Sequence, residues 1–70
     1  MTNADKMFEE LGYSKMDKNT FIEYYKATIH IIFAKFDKEI AKYDLGGSSY
    51  IDIPELKAIN EKVKELGWYD

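Results

Sequence analysis

Apolar positions recur along the chain with two different periods, and the changes of period mark its elements. Ala4, Met7, Phe8 and Leu11 stand at i, i+3, i+4 and i+7, the spacing of one helix face, which predicts an N-terminal helix over Asn3 to Leu11. Thr2 or Asn3 can cap its start, and Asp5 falls in the first turn, where the helix dipole favours negative charge. A second helix is predicted from about Ile53 to Leu66, with Leu56, Ile59, Val63 and Leu66 as its apolar seam. Asp52 and Glu55 have capping-box spacing, and Pro54 sits in the first turn, where its missing N–H costs nothing. Both segments run into a glycine followed by an aromatic ring, as Glu10-Leu11-Gly12-Tyr13 and Glu65-Leu66-Gly67-Trp68. Glycine takes the left-handed conformation just past a helix without a Cβ penalty, and the next residue folds back on the last turn. These endings predict two Schellman stops, setting Tyr13 against Phe8 and Trp68 against Val63.

Between the helices, two periods compete. Phe21, Tyr25, Ile29, Ile32, Phe36, Ile40 and Tyr43 are spaced as on one long helix. Composition opposes that reading: Phe21-Ile22-Glu23-Tyr24-Tyr25 and Thr28-Ile29-His30-Ile31-Ile32-Phe33 are dense in β-branched and aromatic residues, which favour strands. Strands are therefore predicted near 20–26, 28–35 and 39–44, in a meander with turns near Lys26-Ala27 and Asp37-Lys38. A short extended piece, Tyr50-Ile51, follows the loop Leu45-Gly46-Gly47-Ser48-Ser49. The expected fold is α+β, a single domain over residues 1–70. An antiparallel three- to four-stranded sheet is flanked by an N-terminal and a C-terminal helix, in the order α-β-β-β-α.

A two-residue turn at Lys26-Ala27 puts Ile22 and Tyr24 on one face with Ile29, Ile31 and Phe33, leaving Phe21, Tyr25, His30, Ile32 and Ala34 on the other. Both faces are then apolar, and two short helices can cover only one. The surplus makes the outer face a candidate association surface, with Phe21, Tyr25 and Ile32 as anchors and Tyr43 as their neighbour.

Composition sharpens this picture. The 70 residues are 46% hydrophobic and 16% aromatic, with no cysteine and a single histidine, His30. A chain this short lacks both disulfide and metal staples, so its core must be rich in rings or be completed by a partner. No apolar run approaches the ~20 residues needed to span a bilayer, and the first residues lack the pattern of a signal peptide, so a cytoplasmic protein without membrane contact is expected. Thirteen acids against ten lysines give a net charge of −3, and arginine is absent. Direct nucleic-acid binding is therefore disfavoured, since arginine is the residue that best forks onto phosphate.

Three motifs hint at chemistry. Counted from Asp44, an EF-hand-like loop would place Gly46 third, Ser48 fifth, Tyr50 seventh, Ile51 eighth, Asp52 ninth and Glu55 twelfth. Carboxylates are missing at the third and fifth positions, and Ser49 stands where the sharp turn needs glycine. The same residues are what a capping box requires, so no metal site is assigned. Gly46-Gly47-Ser48-Ser49 could present N–H groups to an anion, but no lysine follows as in a phosphate loop. His30 could serve as a general base, yet the sequence marks no nucleophile, orienting partner or pocket. Neither a cofactor nor enzymatic activity is expected.

Four stretches carry a resemblance: Ala4-Asp5-Lys6-Met7-Phe8-Glu9-Glu10-Leu11-Gly12-Tyr13, Ile31-Ile32-Phe33, Tyr50-Ile51, and Glu55-Leu56-Lys57-Ala58-Ile59-Asn60-Glu61-Lys62 running on to Glu65-Leu66-Gly67-Trp68. In these the chain resembles, over nearly its full length, short proteins from phages and mobile elements of low-GC Gram-positive bacteria. The resemblance implies the helix–strands–helix order and brings no activity or ligand with it. The functional expectation is a non-enzymatic interaction module whose partner is a second copy or a host or phage protein. Two alternatives stand beside it. One is an acidic inhibitor that occupies the channel of a nucleic-acid-binding host defence or transcription protein, and the other is a weak EF-hand-like calcium binder.

Overall fold

In the computed structural model, which describes residues 2–47 and 49–70, β-branched and aromatic density prevails over helix-like spacing in the middle of the chain. The elements run α1 (Asn3–Glu10), β1 (Ser14–Asp17), β2 (Phe21–Lys26), β3 (Ile29–Ala34), β4 (Glu39–Asp44) and α2 (Ile53–Glu65). The four strands form one antiparallel meander in the order β1-β2-β3-β4. The fourth strand is thus Ser14–Asp17, while Tyr50-Ile51 is irregular. Exposed along its whole length, β1 carries no β-branched or aromatic residue and is extended because it pairs with β2.

The β2–β3 hairpin turns on Ala27-Thr28, with Lys26 opposite Ile29 and Tyr25 opposite His30. The expected turn lay one residue earlier, which moves the pairing by two positions and so leaves each side chain on its expected face. Ala27 adopts a left-handed φ of +48°, so the turn forms without an Asn-Gly pair at some conformational cost.

Both helices lie on the face made by Ile22, Tyr24, Ile31 and Phe33. Phe8 of α1 stacks on Tyr24 at 3.9 Å between centroids and meets Tyr13 and Phe33 edge-on at 5.6 and 6.2 Å. Ala58, Ile59 and Val63 of α2 complete this core, and Trp68 lies against it with its ring 6.2 Å from Phe33. The seam of α2 differs from expectation: Leu56 is 50% exposed, whereas Glu55 and Lys62 are buried beside Ala58, Ile59 and Val63. A stripe containing two charges faces inward because each charge finds a partner there.

The helix ends follow their sequence signals. Thr2 Oγ1 accepts from Asp5 N–H, and Asp52 and Glu55 form a reciprocal capping box at α2. Gly12 and Gly67 have φ of +91° and +73°. The Tyr13 and Trp68 N–H groups donate to Phe8 O and Val63 O at 3.0 and 3.1 Å. The nearest atom to a Cβ placed on Gly67 is Asp70 Oδ2, 4.0 Å away, so alanine would fit and pay only for its backbone angle. Gly67→Ala is therefore expected to lose ~1 kcal/mol in urea melts. An unchanged midpoint would show that the last turn does not depend on this stop.

Candidate functional site

The two faces of the sheet differ most in where they put charge. All three lysines within strands, Lys15, Lys26 and Lys42, fall on the inner face with the core, and each reaches a helix or its flank. Lys15 Nζ donates to Asp5 Oδ2 of α1 at 3.0 Å, and Lys26 Nζ donates to Leu11 O at 2.8 Å while lying 4.6 Å above the Tyr13 ring. Lys42 Nζ donates to Glu55 Oε1 of α2 at 2.8 Å and to Tyr50 O. Lys62 of α2, only 1% exposed, donates to Glu65 at 2.5 Å and stands 3.6 Å from Asp5. These contacts clamp both helices to one side.

Two tyrosines tie the clamps into the core. The Tyr24 hydroxyl donates to Asp5 Oδ1 at 2.6 Å, and the Tyr13 hydroxyl donates to Glu55 Oε2. Burial pushes the Asp5 carboxyl up, but the hydrogen bonds from Tyr24 and Lys15 and the charge of Lys62 outweigh it and hold the group at about 2. Burial likewise raises Glu55, and hydrogen bonds from Lys42, Tyr13 and the Asp52 N–H bring it down to about 2. Burial first, and then bonding to a carboxylate, pushes both phenols well above their ordinary range.

Among the described residues, no helix covers the outer face. Its middle row is Met16, Glu23, Ile32 and Ala41, and its flanking rows are Ser14, Tyr25, His30 and Tyr43 on one side and Phe21, Ala34 and Glu39 on the other. The face therefore gathers the four residues singled out in the sequence: Phe21, Tyr25 and Ile32 are half-buried by their neighbours, and Tyr43 is 39% exposed. His30 joins two of them. Its ring stacks on Tyr43 at 4.8 Å and 12° and lies 6.4 Å from Tyr25, while Nδ1 is 2.7 Å from Glu23 Oε2. The result is a row of three rings across three strands, braced from the middle row by a carboxylate. Met16 was hidden from the sequence reading with β1 itself. Glu23 and Ala41 could have been found from strand parity alone.

The other candidates are already engaged. Of the calcium-like loop, Asp52 caps α2, Glu55 holds Lys42 and Tyr13, and Asp44 Oδ1 accepts from Thr28 Oγ1 and Gly46 N–H at 2.6 and 2.9 Å. Ser48, its fifth position, lies outside the described residues. The Gly46 N–H that an anion would need thus points at a carboxylate, and Gly47 N–H donates to Asp44 O at 3.3 Å. Among the described residues, no group of three or more His, Asp and Glu is placed to hold a metal.

Clefts of about 460 and 390 Å³ lie between the helices and the sheet, and the clamp residues Asp5, Lys15, Tyr24, Lys42 and Glu55 line them. His30 and Glu23 line neither of them. Among the described residues, the carboxylates with no lysine or helix-cap partner are Glu9 and Glu10 of α1, Glu23 of β2, Asp37 and Glu39 around the β3–β4 turn, Asp44 at the end of β4, and Asp70. They are spread over a helix, two strands, a turn and the last residue, whereas mimicry of a nucleic-acid backbone calls for carboxylates aligned along one face. Among the described residues, no helix is long and apolar enough to cross a membrane. No family model, curated protein or solved structure matches this chain.

Proposed function

We propose that this chain is a non-enzymatic protein-interaction module of the cytoplasm that binds a partner protein through its outer sheet face. The observation that carries the reading is the asymmetry of the sheet. Both helices and every strand lysine are committed to the inner side, and the outer side keeps Met16, Phe21, Tyr25, Ile32, Ala34, Ala41 and Tyr43 with no helix over them. Four strands at ~4.8 Å spacing and ~3.3 Å per residue make a face of roughly 300–400 Å², comparable in size to the largest apolar patch of a typical monomer, which is often functional. Aromatic residues at the centre of such a patch carry most of the affinity in protein interfaces.

Charge narrows the class of partner. The acidic side chains on the face are Glu23 and Glu39, and no strand lysine accompanies them. A phosphate backbone would be repelled, whereas a protein surface with an apolar centre and a basic rim would be complementary. The resemblance to phage and mobile-element proteins is in keeping with a host or phage protein as that partner.

The test separates binding from folding. Ile32 lies outside the core cluster, so Ile32→Lys is expected to change the stability of the isolated domain by no more than about 1 kcal/mol. In affinity capture from host lysate, Ile32→Lys and Tyr25→Lys should lose the proteins that the unsubstituted chain retains. Retention of the same proteins by both variants would overturn the proposal. Loss of ~2 kcal/mol or more on unfolding would show instead that Ile32 serves the fold.

A further inference from the structure

The sheet ends in two edges of different character. β1 is four residues long and carries two salt-bridged side chains, Lys15 with Asp5 and Asp17 with Lys35. β4 is six residues long and has no proline. Natural edges are usually blunted by lysine, proline, a bulge or an inward charge. In β4 the lysine that would guard the edge is drawn inward, since Lys42 Nζ is held by Glu55 and Tyr50 O. Asp44 is likewise turned to Thr28 and Gly46.

Pairing parity decides which backbone groups face out. Leu45 N–H donates to Thr28 O at 3.1 Å, so the odd-numbered residues of β4 bond to β3 and the N–H and C=O groups of Ile40 and Lys42 point away from the sheet. Among the described residues, no backbone hydrogen bond from outside the sheet reaches either of them. Beside these groups stand Ile40, 39% exposed, and the exposed Ala41.

We infer that β4 pairs antiparallel with β4 of a second copy about a two-fold axis at Ala41, joining two meanders into one continuous sheet. A two-fold axis perpendicular to the sheet pairs residues of equal parity, which leaves three registers near the strand centre. Centring on Lys42 sets two lysines opposite each other, and centring on Ile40 sets Lys38 opposite Lys42. Centring on Ala41 opposes no like charges: Ile40 meets Lys42, Glu39 meets Tyr43, and Lys38 meets Asp44. In that register the outward N–H and C=O groups of Ile40 bond those of Lys42 on both sides of the axis. The exposed Ile40 side chain then stands opposite the partner's Lys42 on the same face of the joined sheet. The pairing is isologous and self-limiting, because each copy has only one such edge. It also sets the two outer faces side by side in one surface, and it does not depend on what that surface binds.

The chain has no cysteine, so a single introduced thiol reports the register. Ala41→Cys, at the axis in a non-hydrogen-bonded pair, is expected to form a disulfide dimer under mild oxidation at least roughly tenfold faster than Glu39→Cys, whose copies lie apart. Strand pairing gives a small, weak interface, so in sedimentation at roughly 100 µM the unsubstituted chain should show a weight-average mass clearly above that of one chain. Ala41→Lys should return it to the monomer mass, and Ile32→Lys should not. Ala41 is exposed, so circular dichroism of Ala41→Lys should match that of the unsubstituted chain.

A dimer abolished by Ile32→Lys but kept by Ala41→Lys would overturn edge pairing in favour of face-to-face packing. A monomer at that concentration would overturn it too, while leaving lysate capture by the outer face to be judged separately. Equal crosslinking of the two cysteine variants would rule out the Ala41 axis.

Discussion

Glu55→Ala is expected to destabilise the domain by ~3–5 kcal/mol, the cost of breaking a buried ion pair from one side. Glu55 is 5% exposed, and its carboxylate accepts from Lys42, from the Tyr13 hydroxyl and from the Asp52 N–H. Truncation takes the carboxylate from the buried Lys42 ammonium, leaving it the Tyr50 carbonyl, removes the acceptor of the Tyr13 phenol, and removes half of the α2 capping box. A chain of this length has roughly 4–10 kcal/mol of stability in total, so this one truncation should remove a large share of it. Glu55→Gln should cost less, because an amide oxygen still accepts. Replacing both partners, as in Lys42→Met with Glu55→Leu, should recover part of the loss, since an apolar pair leaves no charge behind. Urea melts of the four proteins test this. A loss below ~1 kcal/mol for Glu55→Ala would mean that the Lys42–Glu55 clamp does not hold α2 to the sheet.

Acid should unfold the protein through the same clamps. Asp5 and Glu55 titrate near 4 in an unfolded chain and at about 2 in the fold. Between those values the unfolded state binds more protons. The stabilisation is therefore complete above pH ~5, falls as pH drops, and is gone below about pH 2. Each group contributes roughly 2–3 kcal/mol, and together they match much of what holds a small domain together. Circular dichroism at decreasing pH should show a cooperative loss of structure between about pH 4 and 2. Asp5→Asn should start less stable and show a shallower pH dependence, having one fewer group to titrate. Undiminished resistance to urea at pH 2 would contradict the assignment of both carboxylates.

Much of the fold was legible because its signals are local. Asp52, Pro54 and Glu55 announce the start of α2, and Gly12 and Gly67 announce two stops. Strands β2 to β4 follow from β-branched and aromatic density, and the division of Phe21, Tyr25, Ile32 and Ala34 from Ile22, Tyr24, Ile31 and Phe33 follows from parity. β1 was not legible. Ser14-Lys15-Met16-Asp17 has no strand former, and only its hydrogen bonds to β2 make it extended. The seam of α2 was misread for a related reason. Hydrophobicity selects Leu56 over Glu55, but Glu55 has Lys42 and Tyr13 waiting beneath it, and neither is near it in the chain.

The sequence by itself determined every element but β1, the helix ends, and the two sets of side chains that share a face. Which set became the core was decided in three dimensions. The two faces are comparably apolar, so transfer from water does not choose between them strongly. Lys15, Lys26 and Lys42 share the parity of Ile22 and Ile31, and only helices packed on that side bring Asp5, the Leu11 carbonyl and Glu55 within reach of them. Burial of charge is costly unless each charge is paired, and those pairings join residues 10, 15 and 13 positions apart. A local pattern does not record them. The face that bound no helix, with Phe21, Tyr25, Ile32 and Tyr43, stayed open because the charges that fasten the helices stand on the other side.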